Sequence, residues 1–188
     1  MRFGMVVLLP ACLVVLASPA LGGELAGVTL PDSVVVEGTT LLLNGLGLRE
    51  ATMLKVDVYV AGLYLEAKTG DAEAILGAPA LRRLVMHFVR DVGRADLAKG
   101  FGEGFDRNAG EARQALGERI DRLNGWLTDV KVGDTIVFTF LPGEGVRVDI
   151  RGQERGAIPG DDFARGLLSV WLGPKPPNAG LKNGMLGK

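Results

Sequence analysis

The stretch Thr135-Ile136-Val137-Phe138-Thr139-Phe140-Leu141-Pro142-Gly143-Glu144-Gly145-Val146-Arg147-Val148-Asp149-Ile150 reads as two strands around a turn. Ile136, Phe138 and Phe140 fall on one side of the first run, and Val146, Val148 and Ile150 on one side of the second. This is the period of two that lays one strand face on a core. Pro142-Gly143-Glu144-Gly145 supplies the turn, so the two runs predict a β-hairpin.

Upstream, 81–89 is dense in branched and aromatic residues and predicts a strand. The strongest extended segment is 53–65, with Val56, Val58, Tyr59, Val60, Leu63 and Tyr64; Gly62 inside it predicts a bulge or bend. Val34-Val35-Val36 and 39–43 read as two short strands with a turn at Gly38. Asp71 is placed to cap a short helix through Leu76, ended by Gly77 and Pro79.

Between these strands and the hairpin, Leu97, Phe101 and Phe105 recur at helical spacing. Leu116, Ile120, Leu123 and Leu127 follow at intervals of three and four, so 95–127 predicts helix, broken near Asn108-Ala109-Gly110. After the hairpin, 152–156 reads as a turn. Asp161 or Asp162 then caps a helix carrying Phe163, Leu167, Leu168, Val170, Trp171 and Leu172, which Gly173-Pro174 ends. A last short helix is expected over about 178–186. Strands, helices, strands, helices in that order indicate an α+β fold, as against an alternating parallel one.

The chain opens with Arg2, an apolar run over 3–16 and the small-residue zone Ala17-Ser18-Pro19-Ala20-Leu21-Gly22-Gly23. That is the layout of a secretory signal peptide over 1–22, cut after Ala20 or Gly22, with one domain over 23–188 and a periplasmic or secreted destination. A retained anchor needs about 20 apolar residues, and Pro10 interrupts this run. A lipoprotein signal around Leu9-Pro10-Ala11-Cys12 is disfavoured by Pro10 and by the apolar residues 13–16. No stable membrane span is expected after cleavage. Cys12, the sole cysteine, lies inside the signal, so the mature domain has no disulfide and no thiol chemistry.

Several function classes are disfavoured. The chain carries 21 Lys+Arg against 22 Asp+Glu, net −1, and losing Arg2 with the signal makes it more negative. A nucleic-acid binder shows the opposite bias. His87 is the only histidine and sits in an apolar strand, where a packing role is expected. Ser33 and Ser169, the serines of the mature domain, lie in no Gly-x-Ser-x-Gly elbow, and the ligands for a zinc site are missing. Gly45-Leu46-Gly47 begins like a dinucleotide fingerprint, but position 50 is Glu. No cofactor and no metal are expected.

Three segments together resemble the chalcone isomerase-like family, in particular its bacterial exported branch. They are Leu43-Asn44-Gly45-Leu46-Gly47-Leu48-Arg49 followed by Val58-Tyr59-Val60-Ala61-Gly62-Leu63-Tyr64-Leu65; Phe88-Val89-Arg90-Asp91-Val92; and Gly156-Ala157-Ile158-Pro159-Gly160-Asp161-Asp162-Phe163-Ala164 running into Leu167-Leu168-Ser169-Val170-Trp171-Leu172-Gly173. The resemblance implies an open-faced β-sandwich, a large antiparallel sheet with helices layered on it, and a cleft for a small amphipathic organic ligand between them. In the plant isomerases of the family an arginine ending the glycine-rich segment holds the substrate oxyanion. In fatty-acid-binding relatives the matching arginine and a tyrosine on the next strand hold a carboxylate.

By that resemblance Arg49 takes the arginine position. Tyr59 stands three residues before Gly62, where the plant isomerases carry threonine and the fatty-acid-binding relatives tyrosine. The implied function is a non-catalytic binder of a small amphipathic carboxylic acid such as a fatty acid; Leu97, Phe101 and Phe105 fit either the lining of its tail or the core. One alternative is an isomerase of the intramolecular lyase type with Arg49 catalytic. For it, the family's helix-borne tyrosine has no counterpart, and Asn108 and Asn124 are the stand-ins for its asparagine. The other is a structural or partner-binding protein with a decayed site. The residues alone also fit a solvated turn arginine and a half-buried sheet tyrosine. A geometric condition separates these readings. Ten residues of straight strand put Arg49 and Tyr59 roughly 33 Å apart, so they share a ligand only if the chain turns back near Leu54.

Overall fold

A computed structural model describes residues 22–51 and 55–188. Residues 1–21, which hold Cys12 and all but the last residue of the expected signal peptide, and the turn expected at Leu54 lie outside the described residues. A small hairpin of β1 (Gly23–Leu25) and β2 (Val28–Leu30) comes first. The main sheet then builds from β3 (Ser33–Val36), β4 (Thr39–Ala51) and β5 (Val56–Leu65). After α1 (Ala72–Gly77) it continues with β6 (Arg82–Phe88). A helical excursion follows, α2 (Arg94–Asn108), α3 (Ala112–Ala115) and α4 (Gly117–Trp126). The chain then returns as β7 (Thr135–Leu141), β8 (Gly145–Ile150) and β9 (Gln153–Pro159), and ends in α5 (Asp161–Leu172) and α6 (Ala179–Met185). The seven strands β3 to β9 lie side by side in chain order, every pair antiparallel.

The expected hairpin pairs as its alternation requires, Phe138 opposite Val148 and Phe140 opposite Val146. These residues face α2, α4 and α5 together with Leu84, Met86 and Phe88 of β6 and form the main core. Each such side chain, fully buried, contributes about 1.5–3 kcal/mol. The opposite face of the sheet is covered in part by the β1–β2 hairpin, whose Val28 and Leu30 pack on Val60. Among the described residues no helix is long and apolar enough to cross a membrane.

Three local expectations are corrected. Gly62 makes no bulge: it pairs in register with Leu46 and Val85, and its missing side chain admits Leu30, whose Cδ1 lies 2.5 Å from where a Cβ would sit. The register shifts fall instead at Asn44 on β4 and at Val58 on β5, neither marked by a glycine. Residues 153–156, expected as a turn, belong to β9. Lastly, neither Asp161 nor Asp162 caps α5. Gly160 takes that position, Asp161 accepts a hydrogen bond from Gly143 N at 3.0 Å, and Asp162 pairs with Arg119 at 2.5 Å. Asp71 does cap α1, accepting from the amides of Glu73 and Ala74 at 3.0 and 3.1 Å.

The glycine-rich run of β4 also has a structural explanation. α6 crosses it at backbone distance, and a Cβ on Gly47 would stand 2.1 Å from Leu181 O, an overlap no side chain tolerates. Asn44, the buried extra residue of the bulge, donates to Met185 O at 2.8 Å and so ties the end of α6 to the strand. At the other end of the helix Asn178 donates to Leu48 O at 3.0 Å.

Candidate functional site

Arg49 and Tyr59 are directly paired across β4 and β5, so the chain does turn back between them and the geometric condition is met. Cross-strand partners have Cβ atoms about 5 Å apart and share one face of the sheet. The next partners are Glu50 and Asp57, which leaves Val58 as the extra residue of a β-bulge. A bulge re-aims side chains, and here Val58 and Tyr59 both line one cavity of about 530 Å³.

The cavity lies between the β4–β6 end of the sheet, the exposed-to-buried boundary of α2, and the end of α5. Its apolar wall includes Met86, Phe88, Leu97, Phe101, Val170 and Trp171, and Arg90, Asp96, Glu103 and Arg107 stand among its charged lining residues. Leu97 and Phe101 thus occupy the expected place. Phe105 does not: it is fully buried and packs on Phe163, ring centroids 5.9 Å apart, because it lies one further helical turn toward α5. The asparagine stand-ins are elsewhere too. Asn108 clamps the end of α2 to the backbone of Lys175 through bonds of 2.9 Å in each direction, and Asn124 does not border the cavity. His87 is half-buried on β6 and alternates away from Met86 and Phe88, which face the main core.

Tyr59 is 7 % exposed. Its oxygen accepts a hydrogen bond from Trp171 Nε1 at 3.0 Å, and its ring meets Phe88 edge-on at 5.6 Å. Burial pushes the phenol up to about 12, against smaller opposing pulls from the Trp171 hydrogen bond and the Arg49 charge. The group is therefore a neutral O–H at physiological pH. Its own proton has no acceptor among the described residues.

Arg49 is half-buried. One of its terminal nitrogens donates to the carbonyls of Glu50 and, at 3.4 Å, Pro177, which leaves the rest of the guanidinium fork at the cavity wall. Pro177 precedes α6, so the packing of that helix on β4 also sets the arginine. At the far side Asp91, in the segment after β6, accepts from Lys131 Nζ at 2.8 Å and Val132 N at 3.1 Å. The Lys131 ammonium holds that carboxyl below the usual carboxylate range, and the bonds fasten the strand end that borders the cavity.

Residue reasoning did not single out Trp171 as part of the site. Its apolar neighbours on α5 mark it as core, which it also is, and nothing in its spacing shows that its N–H reaches the phenol of a distant strand.

Comparison with curated proteins finds no match. The crystal structure of an Arabidopsis thaliana fatty-acid binding protein matches with a TM-score of 0.62 at 18% sequence identity, covering 82% of this chain and 96% of that one. At that identity the likeness speaks for the fold. A family model described as chalcone isomerase-like matches residues 22–187, and with the antiparallel sheet, its helical cover and the cleft between them in place, the chain belongs to the chalcone isomerase-like family.

Proposed function

We propose that the protein is a non-catalytic binder of a small amphipathic carboxylic acid such as a fatty acid, working in the periplasm after removal of a signal peptide. The observation that carries this reading is the pairing of an unused phenol donor on Tyr59 with the Arg49 guanidinium at the wall of one largely apolar cavity. A carboxylate offers two acceptor oxygens in a plane that matches the guanidinium fork. The phenol supplies one more donor, and the apolar lining takes the chain. The structural relative from Arabidopsis thaliana is itself described as a fatty-acid binding protein.

Ring-closing isomerase chemistry has less support. A phenol at about 12 is far from the operating pH at which general acid–base catalysis is efficient. Arg49 could stabilise a developing oxyanion, but the described residues place neither Asn108 nor Asn124 beside it.

The test is native mass spectrometry followed by denaturing extraction of the protein purified from its own periplasm, beside Arg49→Ala. An acid that copurifies with the wild type and is lost in the variant supports the reading and identifies the ligand class. A protein that comes out empty and ignores added fatty acids and chalcones overturns it in favour of a structural role.

A further inference from the structure

We propose that Trp171 is a positioning residue, whose indole N–H turns Tyr59 into a one-way donor and so makes the cleft select head groups that accept a hydrogen bond at that point. This rests on the carboxylate-binding reading and names the device that orients its second donor. An indole nitrogen can only donate, so the 3.0 Å contact between Trp171 Nε1 and the Tyr59 oxygen has one polarity. A phenol O–H lies in the ring plane, with its best lone pair on the other in-plane side of the oxygen. Once the indole takes that lone pair, the proton must occupy the remaining direction. No acceptor among the described residues meets it there, and the residue lines the cavity.

The indole itself is fixed. Trp171 is 1 % exposed, with Phe101 edge-on to it at 5.9 Å and Phe138 at 5.7 Å. Its N–H therefore has no freedom to release the phenol oxygen for a donor ligand. Hydrogen bonds in such a chain polarise one another, so a ligand acceptor on the phenol proton strengthens the Trp171 bond behind it. An amine or other donor head gains nothing from Tyr59 in this arrangement.

Calorimetric titration with decanoate of wild type, Trp171→Phe, Tyr59→Phe and the double variant reads the coupling. The expectation is a loss of about fivefold for Trp171→Phe alone, shrinking to less than about twofold when Tyr59 is already Phe. Equal losses in both backgrounds mean that Trp171 acts by packing alone and overturn the inference while leaving the carboxylate reading intact. Because Trp171→Phe removes a buried ring and risks the fold, a second measurement uses the intact protein, with the Trp126 indole as internal control. Decanoate should move the Trp171 indole N–H resonance downfield, and a resonance that stays put or moves upfield overturns the inference. A wild type that binds no decanoate overturns both the carboxylate reading and this inference.

Discussion

At Tyr59, burial raises the phenol from an ordinary value of 10.0 to about 12, which ties the residue to the pH dependence of the fold. The folded chain holds this proton more tightly than the unfolded chain. Its contribution is therefore fully present below pH 10 and is lost as pH rises through about 12. A shift of that size corresponds to about 2–3 kcal/mol. Melting temperatures followed from neutral into alkaline pH should fall steeply above pH 10 in the wild type and less steeply in Tyr59→Phe. The decline should not vanish, since Tyr64, bonded to Pro31 O on the opposite face of the sheet, is also raised by burial to about 12. Arg49 is tested by a substitution that keeps charge and removes the fork: Arg49→Lys should weaken fatty-acid binding about tenfold in a calorimetric titration. Both residues were legible as a pair through the resemblance of the β4–β5 segments to family members. The Trp171 bond was not, because a hydrogen bond across 112 positions of chain leaves no local pattern.

Among the elements, α6 and α2 control the site in different ways. α6 lies on the backbone of β4, and Gly47 leaves no room for a methyl group against Leu181 O. Gly47→Ala should cost about 2–3 kcal/mol in a denaturant titration and weaken fatty-acid binding with it, since displacing α6 disturbs Pro177 and Asn178, which contact Arg49 and Leu48. α2 instead carries glycines that a helix does not favour. Neither Gly100 nor Gly102 would bring a Cβ within 4 Å of any neighbour outside the local helix, yet only Gly100 lines the cavity. Gly102→Ala should therefore stabilise the protein by up to about 1 kcal/mol and leave binding unchanged. Gly100→Leu should gain similar helical propensity while reducing fatty-acid affinity, and the pair of melting curves and titrations separates the two effects. The bulge at Val58 is the element-scale feature with no sequence mark: Asp57-Val58-Tyr59-Val60 has the composition of an ordinary strand.

For the whole molecule, the matched family region begins at residue 22 and β1 begins at Gly23, where it pairs with Leu30 and packs near Leu43 and Leu46. Cleavage after Ala20 or Gly22 spares this hairpin; cleavage further on cuts into it and uncovers Val60. If the proposed export holds, N-terminal sequencing of the protein recovered from the periplasm starts at Leu21 or Gly23, and the denatured sample shows no free thiol, since the proposed signal contains Cys12. A chain that starts at Met1 and retains its thiol overturns the export proposal.

Strand alternation, helix periodicity and turn residues are properties of neighbouring positions, so the sequence by itself determined the α+β outline, the hairpin of β7 and β8, the break near Asn108 and the cap at Asp71. It also marked Arg49 and Tyr59, through a resemblance spread over distant segments. It did not distinguish β9 from a turn, since Gln153-Glu154-Arg155-Gly156 is polar and β9, at the sheet edge, is defined by its pairing with β8 alone. Only the tertiary structure decided which apolar residues of α2 border the cavity and which pass into the core, because that depends on where α5 crosses α2. The same holds for the meeting of Trp171 with Tyr59 and for the close fit of α6 on the glycines of β4. Each is a contact between elements far apart in the chain, and its energy depends on their relative placement in space.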